Sequence, residues 1–442
     1  MMHFVRRRPR LAVAAGVLLL VLFVVAVRWL LGGSIEHVVL AKRAAVAPSA
    51  RPAVAQLGAT EGLAALVKRQ PGPNEAEVCG VGILDVHGLM DFISNESGHV
   101  RAVKALLPVL AANPNPRAQA TGLYLQINED YWNRDPKQQR ADGLACDGVP
   151  DKPDSMVPPA CQQAREREAQ RWQASQVTAL APAMQLAQLA MRSADPAILS
   201  LAYSTCYRAG PQAVAACQQG LLEQWAAVDA DNAQPWLYLL NNARQQKADG
   251  AAISALHHLS LAKTDNGYIG MMLPWIARDL PAEQHTGEDH FLLELATNTM
   301  FAAALPPYSG LAHYCSAPAV QDANRRQVCS AVVELLAKDS SNLIGTRIAN
   351  RLGQGLGWPQ ERVKQADLEY RALQAAYTKL YEQTMEGANC AAQGNLYQYM
   401  TAVGQVGEMQ AMRRAVLASG KTMEQLVQDY QRDELARKPA AK

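Results

Sequence analysis

An uninterrupted apolar segment near the N-terminus constrains this chain more than any other feature. Residues 11–27 carry no charged or polar side chain, and four arginines precede them within residues 6–10. A hydrocarbon core of about 30 Å requires ~20 helical residues. Arg28 can extend its charge toward the headgroups and Trp29 favours the interface, so the sequence predicts a transmembrane helix over residues 11–31.

The charges that flank this segment predict its orientation. Positive charge is denser before the span than after it, so the positive-inside rule predicts a cytoplasmic tail over residues 1–10. The alternative is a cleaved signal peptide, whose apolar run is ~7–15 residues long and ends in small residues. The run here is longer and Val27-Arg28-Trp29 is a poor cleavage context, which favours an uncleaved signal-anchor. Both alternatives export the rest of the chain.

The exported part has the composition of a helical protein. Residues 1–28 hold five arginines and no acidic residue, which leaves 37 Lys and Arg against 40 Asp and Glu beyond them. This near-neutral balance gives no electrostatic indication of nucleic-acid binding. Few phenylalanines and abundant alanine, leucine and glutamine disfavour a β-rich fold. We therefore expect a juxtamembrane linker over residues 32–58 and an all-α periplasmic domain over residues 59–442.

Eight cysteines and no C-x-x-C motif indicate disulfides, since zinc ribbons and thioredoxin-type sites use closer spacing. In an oxidising compartment we expect near neighbours to pair, each closing a loop that contributes ~3 kcal/mol. The expected pairs are Cys146 with Cys161, Cys206 with Cys217, and Cys315 with Cys329. Cys79 and Cys390 remain, either as a long-range disulfide or as free thiols. The alternative is eight reduced cysteines in a cytosolic protein.

Hydrophobic periodicity and turn residues predict stacked helical hairpins. Helical patterns of mostly 12–18 residues, separated by short breaks such as Ala181-Pro182 and Gly210-Pro211, fill residues 162–305. Residues 129–162 are predicted to form an irregular loop tied by the first disulfide. Further helices are predicted over residues 98–112, 117–126, 320–337, 342–352, 359–385, 391–418 and 422–435.

The segment 225–239 resembles the junction of the tetratricopeptide repeat, in which a short Asp- and Asn-containing linker precedes a Trp and a Leu. Ala252 and Leu256 occupy the small and large packing positions of that repeat, and residues 336–342 give a fainter echo. The pattern departs at Leu240 and Ala243, where the repeat has a glycine and an aromatic residue. The resemblance implies an α-solenoid whose usual role is protein binding.

Several residues are candidates for a functional site. Four aromatic residues at helical spacing are predicted either to line a groove or to lie in the core: Trp225, Trp236, Tyr238 and Trp275. The polar cluster His285, Glu288, Asp289 and His290 contains metal-ligand residue types. Its histidines point ~140° apart on a helix, however, so a helix start is the favoured interpretation. The glycine-rich residues 353–357 follow a helical pattern rather than a strand, which predicts an interhelical turn.

These observations predict a single-pass inner-membrane protein of a Gram-negative-type cell. Its periplasmic α-solenoid is expected to bind or scaffold other proteins of the cell envelope, without a cofactor or metal. The alternative is an envelope hydrolase with an acid such as Glu288 or Asp289 in a helix-lined cleft. A third possibility is a purely structural stalk.

Overall fold

Helices make up nearly all of the secondary structure in the part of the chain that the structure describes. The computed structural model describes residues 72, 75–78, 82–85, 96–128, 136–146, 157–208, 220–268, 270–272, 275, 307–386, 398–399 and 401–437. Within these ranges, no helix has the length and apolar character needed to cross a membrane. The predicted tail, transmembrane helix and linker, residues 1–58, lie outside the described residues.

A small β-hairpin precedes the helices and departs from the all-α prediction. Strand β1 (Glu75–Val78) pairs antiparallel with β2 (Gly82–Asp85), in a register that places Glu75 opposite Asp85. Four-residue strands contribute too little to composition for the sequence to have indicated them. The mostly helical character of the chain is nevertheless confirmed.

Four helices form the first part of the helical body and contribute most of the residues of the first hydrophobic cluster. They are α1 (Glu96–Ala112), α2 (Pro116–Ile127), α4 (Pro159–Ser193) and α5 (Pro196–Arg208). Helix α2 begins where the Asn115 side chain accepts a hydrogen bond from the Arg117 amide, and it packs against the other three. Leu110, Leu125 and Leu186 are fully buried between them.

Helix α4 is continuous through Pro182, so the predicted break at Ala181-Pro182 is wrong. A proline inside a helix removes one hydrogen bond and clashes with the preceding turn. Ala179, Ala183 and Leu186 lie on the buried face of α4 on both sides of the proline. We attribute the continuity to this packing, which offsets the local penalty.

The segment predicted to be irregular contains a helix. Helix α3 (Pro136–Ala145) packs against the first half of α4, and the predicted disulfide Cys146–Cys161 joins them with a Cα–Cα distance of 4.7 Å. Asp142 on α3 also contacts α4, accepting from Arg167 Nη2 at 2.5 Å and from Arg171 Nη2 at 2.6 Å. The disulfide prediction is confirmed, whereas the irregular loop is replaced by a clamped helical hairpin over these residues.

Substituting Asp142 by asparagine should loosen this α3–α4 hairpin by about 1 kcal/mol, the upper range for partly exposed ion pairs. Hydrogen bonds from Arg167, and more weakly from Gln138 and Arg171, lower the pKa of Asp142 from 3.8 to about 2, against the opposing effect of burial. This contribution to stability is therefore present above pH ~4 and lost as the pH falls toward 2. Hydrogen exchange of α3 at several pH values measures it. Equal protection of α3 in wild type and variant at neutral pH would contradict the prediction.

The second part of the body is a series of helices that pack on one another in order. They are α6 (Leu221–Val228), α7 (Ala233–Gln245), α8 (Asp249–Leu261), α9 (Ser309–Tyr314), α10 (Ala323–Asp339), α11 (Leu343–Gly355), α12 (Gln360–Glu386), α13 (Glu408–Ala418) and α14 (Met423–Arg437). Helix α8 packs on α7 and α10, α10 on α11, and α11 on α12. Helices α7 to α11 enclose a second hydrophobic cluster, in which Leu237, Leu240 and Val332 are fully buried.

Gly407 divides the helix that the sequence predicted over residues 391–418. Residues 401–406 are helical, Gly407 has φ +81°, and α13 starts at Glu408. A positive φ is accessible to glycine at no steric cost, which explains a boundary at this residue. The predicted continuous helix is therefore wrong at its centre.

The remaining cysteines divide into a confirmed pair and pairs that stay predictions. Cys315 and Cys329 form a disulfide with a Cα–Cα distance of 5.6 Å, which ties the end of α9 to α10. Cys206 is buried in α5. Its expected partner Cys217 lies outside the described residues, as do Cys79 and Cys390.

Candidate functional site

Three of the four aromatic residues predicted to line a groove are buried. Trp225 is 1% exposed and Tyr238 is 9% exposed, and their rings pack together with that of Tyr203. Trp275 is 6% exposed and lies beneath the Arg117 guanidinium, 5.3 Å from its ring centroid. These side chains lie where neighbouring helices meet, so they contribute to the core and not to an open surface.

Trp236 is the only one of the four with partial exposure. Its indole stacks on the His258 ring of α8 with centroids 4.3 Å apart, and its Nε1 donates to the Ala230 carbonyl at 2.9 Å. This contact fixes α7 against α8 and leaves one edge of the indole at the surface.

A polar site lies where α7 ends and α8 begins. Arg244, in the last turn of α7, is half-buried, and its Nη2 donates a long hydrogen bond of 3.4 Å to Ser309 Oγ. Its Nε is buried and has no acceptor within the described part of the chain. Ser309 Oγ in turn donates to Asn241 Oδ1 at 2.8 Å. Among the described residues, Ser309 is therefore the one hydrogen-bond acceptor of the Arg244 guanidinium.

Tyr314, at the end of α9, is the next residue of this site. Its hydroxyl donates to Asp249 Oδ1 at 3.2 Å, and the Arg325 guanidinium lies 5.8 Å from its ring centroid. Burial is the main cause that raises the pKa of Tyr314. The Asp249 carboxylate raises it further, and the charges of Arg325 and Arg244 oppose the shift. Both arginines are therefore close enough to Tyr314 to act on its charge.

Local sequence features hold Arg325 in this position. Asp322 caps α10 by accepting from the Arg325 amide at 2.7 Å, which sets where the helix begins. Arg325 and Cys329 are four residues apart, so they lie on one side of α10. The Cys315–Cys329 disulfide then holds that side of the helix against the end of α9, next to Tyr314. We call the six residues of this region the arginine site: Asn241, Arg244, Asp249, Ser309, Tyr314 and Arg325.

The balance of charge in the arginine site is positive. Neither Arg244 nor Arg325 forms an ion pair with a carboxylate among the described residues. Within that part of the chain, the Arg244 guanidinium donates a hydrogen bond to Ser309, and the Arg325 guanidinium makes a cation–π contact with the Tyr314 ring. Asp249 is the acid that faces Tyr314, and one of its carboxylate oxygens accepts a hydrogen bond from the Tyr314 hydroxyl. Such a site can accept hydrogen bonds and negative charge from outside the chain.

A second polar network is fully buried at the opposite end of α7. Asp265 accepts hydrogen bonds from Ser340 Oγ at 2.8 Å, from Gln234 Nε2 and from the Ser341 amide. Burial raises the pKa of Asp265, and these three hydrogen bonds oppose the shift. Because three donors engage Asp265 and the residue is only 3% exposed, we assign this network a structural role.

The network joins successive helix junctions. Asn232 caps α7 by accepting from the Gln234 amide, and Asn342 caps α11 by accepting from the Gly345 amide. Isolated parallel bridges link Asn232 to Thr264 and Asp265 to Ser340, so the three connecting segments lie side by side. Both capping asparagines belong to the segments that resemble the tetratricopeptide junction.

Comparison with protein-family models, with curated proteins and with solved structures finds no match for this chain.

The glycine-rich residues 353–357 form the end of α11 and the following turn, as predicted. A side chain at Gly353 would overlap the Trp358 indole, which stacks on the Arg362 guanidinium at 3.7 Å from the ring centroid. Trp358 Nε1 also donates to Glu334 Oε1 on α10 at 3.1 Å. The absence of a side chain at Gly353 thus allows Trp358 to pack where α10, α11 and α12 meet.

Substituting Gly353 by alanine should destabilise the protein by about 2 kcal/mol, because the methyl group displaces the indole from a packed corner. Gly355→Ala is the matched control, since a Cβ at that position meets nothing within 4 Å. Urea unfolding followed by Trp fluorescence measures both. A midpoint for the Gly353 variant at or above that of the Gly355 variant would contradict the packing argument.

The other candidate residues do not assemble into a site among the described residues. His285, Glu288, Asp289 and His290 lie outside them. The described ranges contain no group of three His, Cys, Asp or Glu side chains that could hold a metal ion.

Sequence reasoning missed Arg244, Tyr314 and Arg325 as a group. They come from three helices, and Arg244 and Arg325 are 81 residues apart, so no local pattern connects them. The one available signal was the spacing of Arg325 from Cys329 and of Tyr314 from Cys315. A disulfide between those cysteines necessarily brings the arginine and the tyrosine close to each other.

Proposed function

We propose that the chain is a membrane-anchored helical-repeat module that binds other proteins of the cell envelope. The main support is that one arrangement occurs twice. Helices α7 and α11 each contain 13 residues, each begins at a capping asparagine, and each is followed by a helix that packs on it. Their junctions lie side by side through the network at Asp265. Stacking of helical hairpins through matched junctions is the design of tetratricopeptide-like solenoids, whose elongated surfaces bind proteins.

We assign binding to a partly exposed side of α7. Leu239 and Asn242 are half-buried and Gln246 is exposed, and steps of three and four residues place them on one side of the helix. Leu239 borders both hydrophobic clusters. Asn242 is held by a hydrogen bond of 3.1 Å to the Tyr203 hydroxyl, so its position is fixed by the buried aromatic residues. A surface on rigid helices, with an apolar centre and polar neighbours, suits protein recognition.

Site-specific photocrosslinking tests the proposal in intact cells. A crosslinking amino acid at Asn242 of the full chain should capture a reproducible envelope protein. The control is the same amino acid at Leu417, which is 79% exposed on α13. The captured protein, purified and mixed with the chain, should bind it with a measurable Kd. Capture at neither position, or identical products at both, would contradict binding through α7.

A further inference from the structure

We propose that the arginine site binds neighbouring carboxylate side chains of an acidic peptide segment. This inference rests on the function proposed above, because the segment would belong to a bound protein. It adds the chemical class that the partner presents, and it places a second contact at the end of α7.

Unused hydrogen-bond donors are the first argument. The Arg244 side chain makes one long hydrogen bond, to Ser309, and its buried Nε has no acceptor among the described residues. The buried Nε is out of reach of an outside ligand, so the donors open to one are those of the terminal nitrogens, for which Ser309 is the acceptor among the described residues. A carboxylate that accepts hydrogen bonds from the terminal nitrogens of this guanidinium would neutralise its half-buried charge, and such charge-assisted hydrogen bonds are stronger than neutral ones.

The arrangement of charge is the second argument. Arg244 and Arg325 belong to different helices; Arg325 lies over the Tyr314 ring, and the charges of both arginines act on the pKa of Tyr314. Two guanidinium groups on separate helices can each bind one of two neighbouring carboxylates of a peptide, whereas a single compact anion would not suit both. Asp249 would repel such a ligand, but its oxygen that faces Tyr314 is already engaged by the hydroxyl. With two cations against one acid, the site retains a positive charge for the ligand.

Rigidity is the third argument. Association requires less ordering when the recognising groups are already held in place. The Cys315–Cys329 disulfide fixes Tyr314 relative to Arg325, and the Asp322 cap fixes the start of α10. Asn241 is buried and holds Ser309 beside Arg244. Preorganised donors of this kind distinguish a binding site from arginines that are merely exposed.

Fluorescence anisotropy of a labelled hexaglutamate peptide with blocked termini tests the proposal on the detergent-solubilised full chain. We expect saturable binding by the wild type and about tenfold weaker binding by Arg244→Gln and by Arg325→Gln, the loss of one charged hydrogen-bonding group each. Arg326→Gln is the matched control, because Arg326 is the exposed neighbour of Arg325 on α10 and should change binding little. Circular dichroism checks that each variant is folded. If Arg244→Gln does not fold, the result for Arg325→Gln decides the test.

Other ligands and the crosslink at Asn242 separate the possible outcomes. Hexaglutamine with a free C-terminus should not bind, since a lone terminal carboxylate lacks the second charge. Equal loss in the Arg326 variant, equal binding of hexaglutamine, or displacement of the peptide by an equal concentration of inorganic phosphate would overturn the site. If the Asn242 crosslink persists unchanged in the double variant Arg244→Gln, Arg325→Gln, the arginine site is wrong and the binding module stands. If the wild type captures no partner, the proposed function itself fails.

Discussion

Replacing Asp265 by alanine is expected to lower the free energy of unfolding by about 3 kcal/mol, because three buried donors lose their acceptor. Those donors are the side chains of Gln234 and Ser340 and the amide of Ser341, which belong to different helix junctions. The effect should therefore extend beyond a local contact and loosen α7 against α11. Urea unfolding monitored by circular dichroism measures the loss as a shift of the midpoint.

Asp231→Ala is the matched control for this prediction. Asp231 lies in the neighbouring junction and pairs with Lys263 at 2.8 Å, but both side chains are mostly exposed. Exposed ion pairs contribute about 0–1 kcal/mol, so this variant should unfold close to the wild-type midpoint. Similar losses in the two variants would show that the buried network has no special role.

The same carboxyl group gives the protein a dependence on pH. Burial raises the pKa of Asp265 above its ordinary value of 3.8. A raised pKa means that the folded state disfavours the ionised form. The contribution of this group is therefore complete below the ordinary value and decreases as the pH rises through the raised one. We expect the Asp265→Ala variant to lack this part of the pH dependence, so the difference in midpoint between wild type and variant should shrink as the pH rises.

Features that depend on near neighbours in sequence could be predicted. The segments 225–239 and 336–342, which resemble a repeat junction, contain the capping residues Asn232 and Asn342, and a side chain that caps a helix acts within three residues of itself. The Cys146–Cys161 and Cys315–Cys329 pairs followed in the same way from short separations between cysteines. Each of these inferences used an interaction whose partners lie within about fifteen residues.

Features that depend on tertiary packing could not be predicted. Pro182 stops a helix in isolation, yet α4 continues because Ala179 and Leu186 are buried on either side of it. Trp225 and Tyr238 have the same spacing whether they face a groove or a core, and only the position of α5 decides between these alternatives. The arginine site is the clearest case, because two arginines and one aspartate come together there only when α7, α9 and α10 have packed.

Removing the Cys315–Cys329 disulfide with alanine substitutions at both positions should also destabilise the protein by ~3 kcal/mol. The chain-entropy contribution follows from a sequence separation of 14 residues. Both cysteines are buried members of the second hydrophobic cluster, so the loss should appear in the global unfolding midpoint. Peptide binding at the arginine site should weaken together with it, because Arg325 loses its fixed position.

The Cys146–Cys161 disulfide provides a control with nearly the same loop length, at a separation of 15 residues. Cys161 is buried but belongs to neither hydrophobic cluster, and much of the adjoining part of α4 is exposed. Removing this disulfide should therefore open the α3–α4 hairpin locally, with faster hydrogen exchange in α3 and a small change in the global midpoint. Two disulfides of matched loop entropy would then differ only in what their cysteines pack against. Equal global losses for the two would show that loop entropy, and not the connection to the core, determines their contribution.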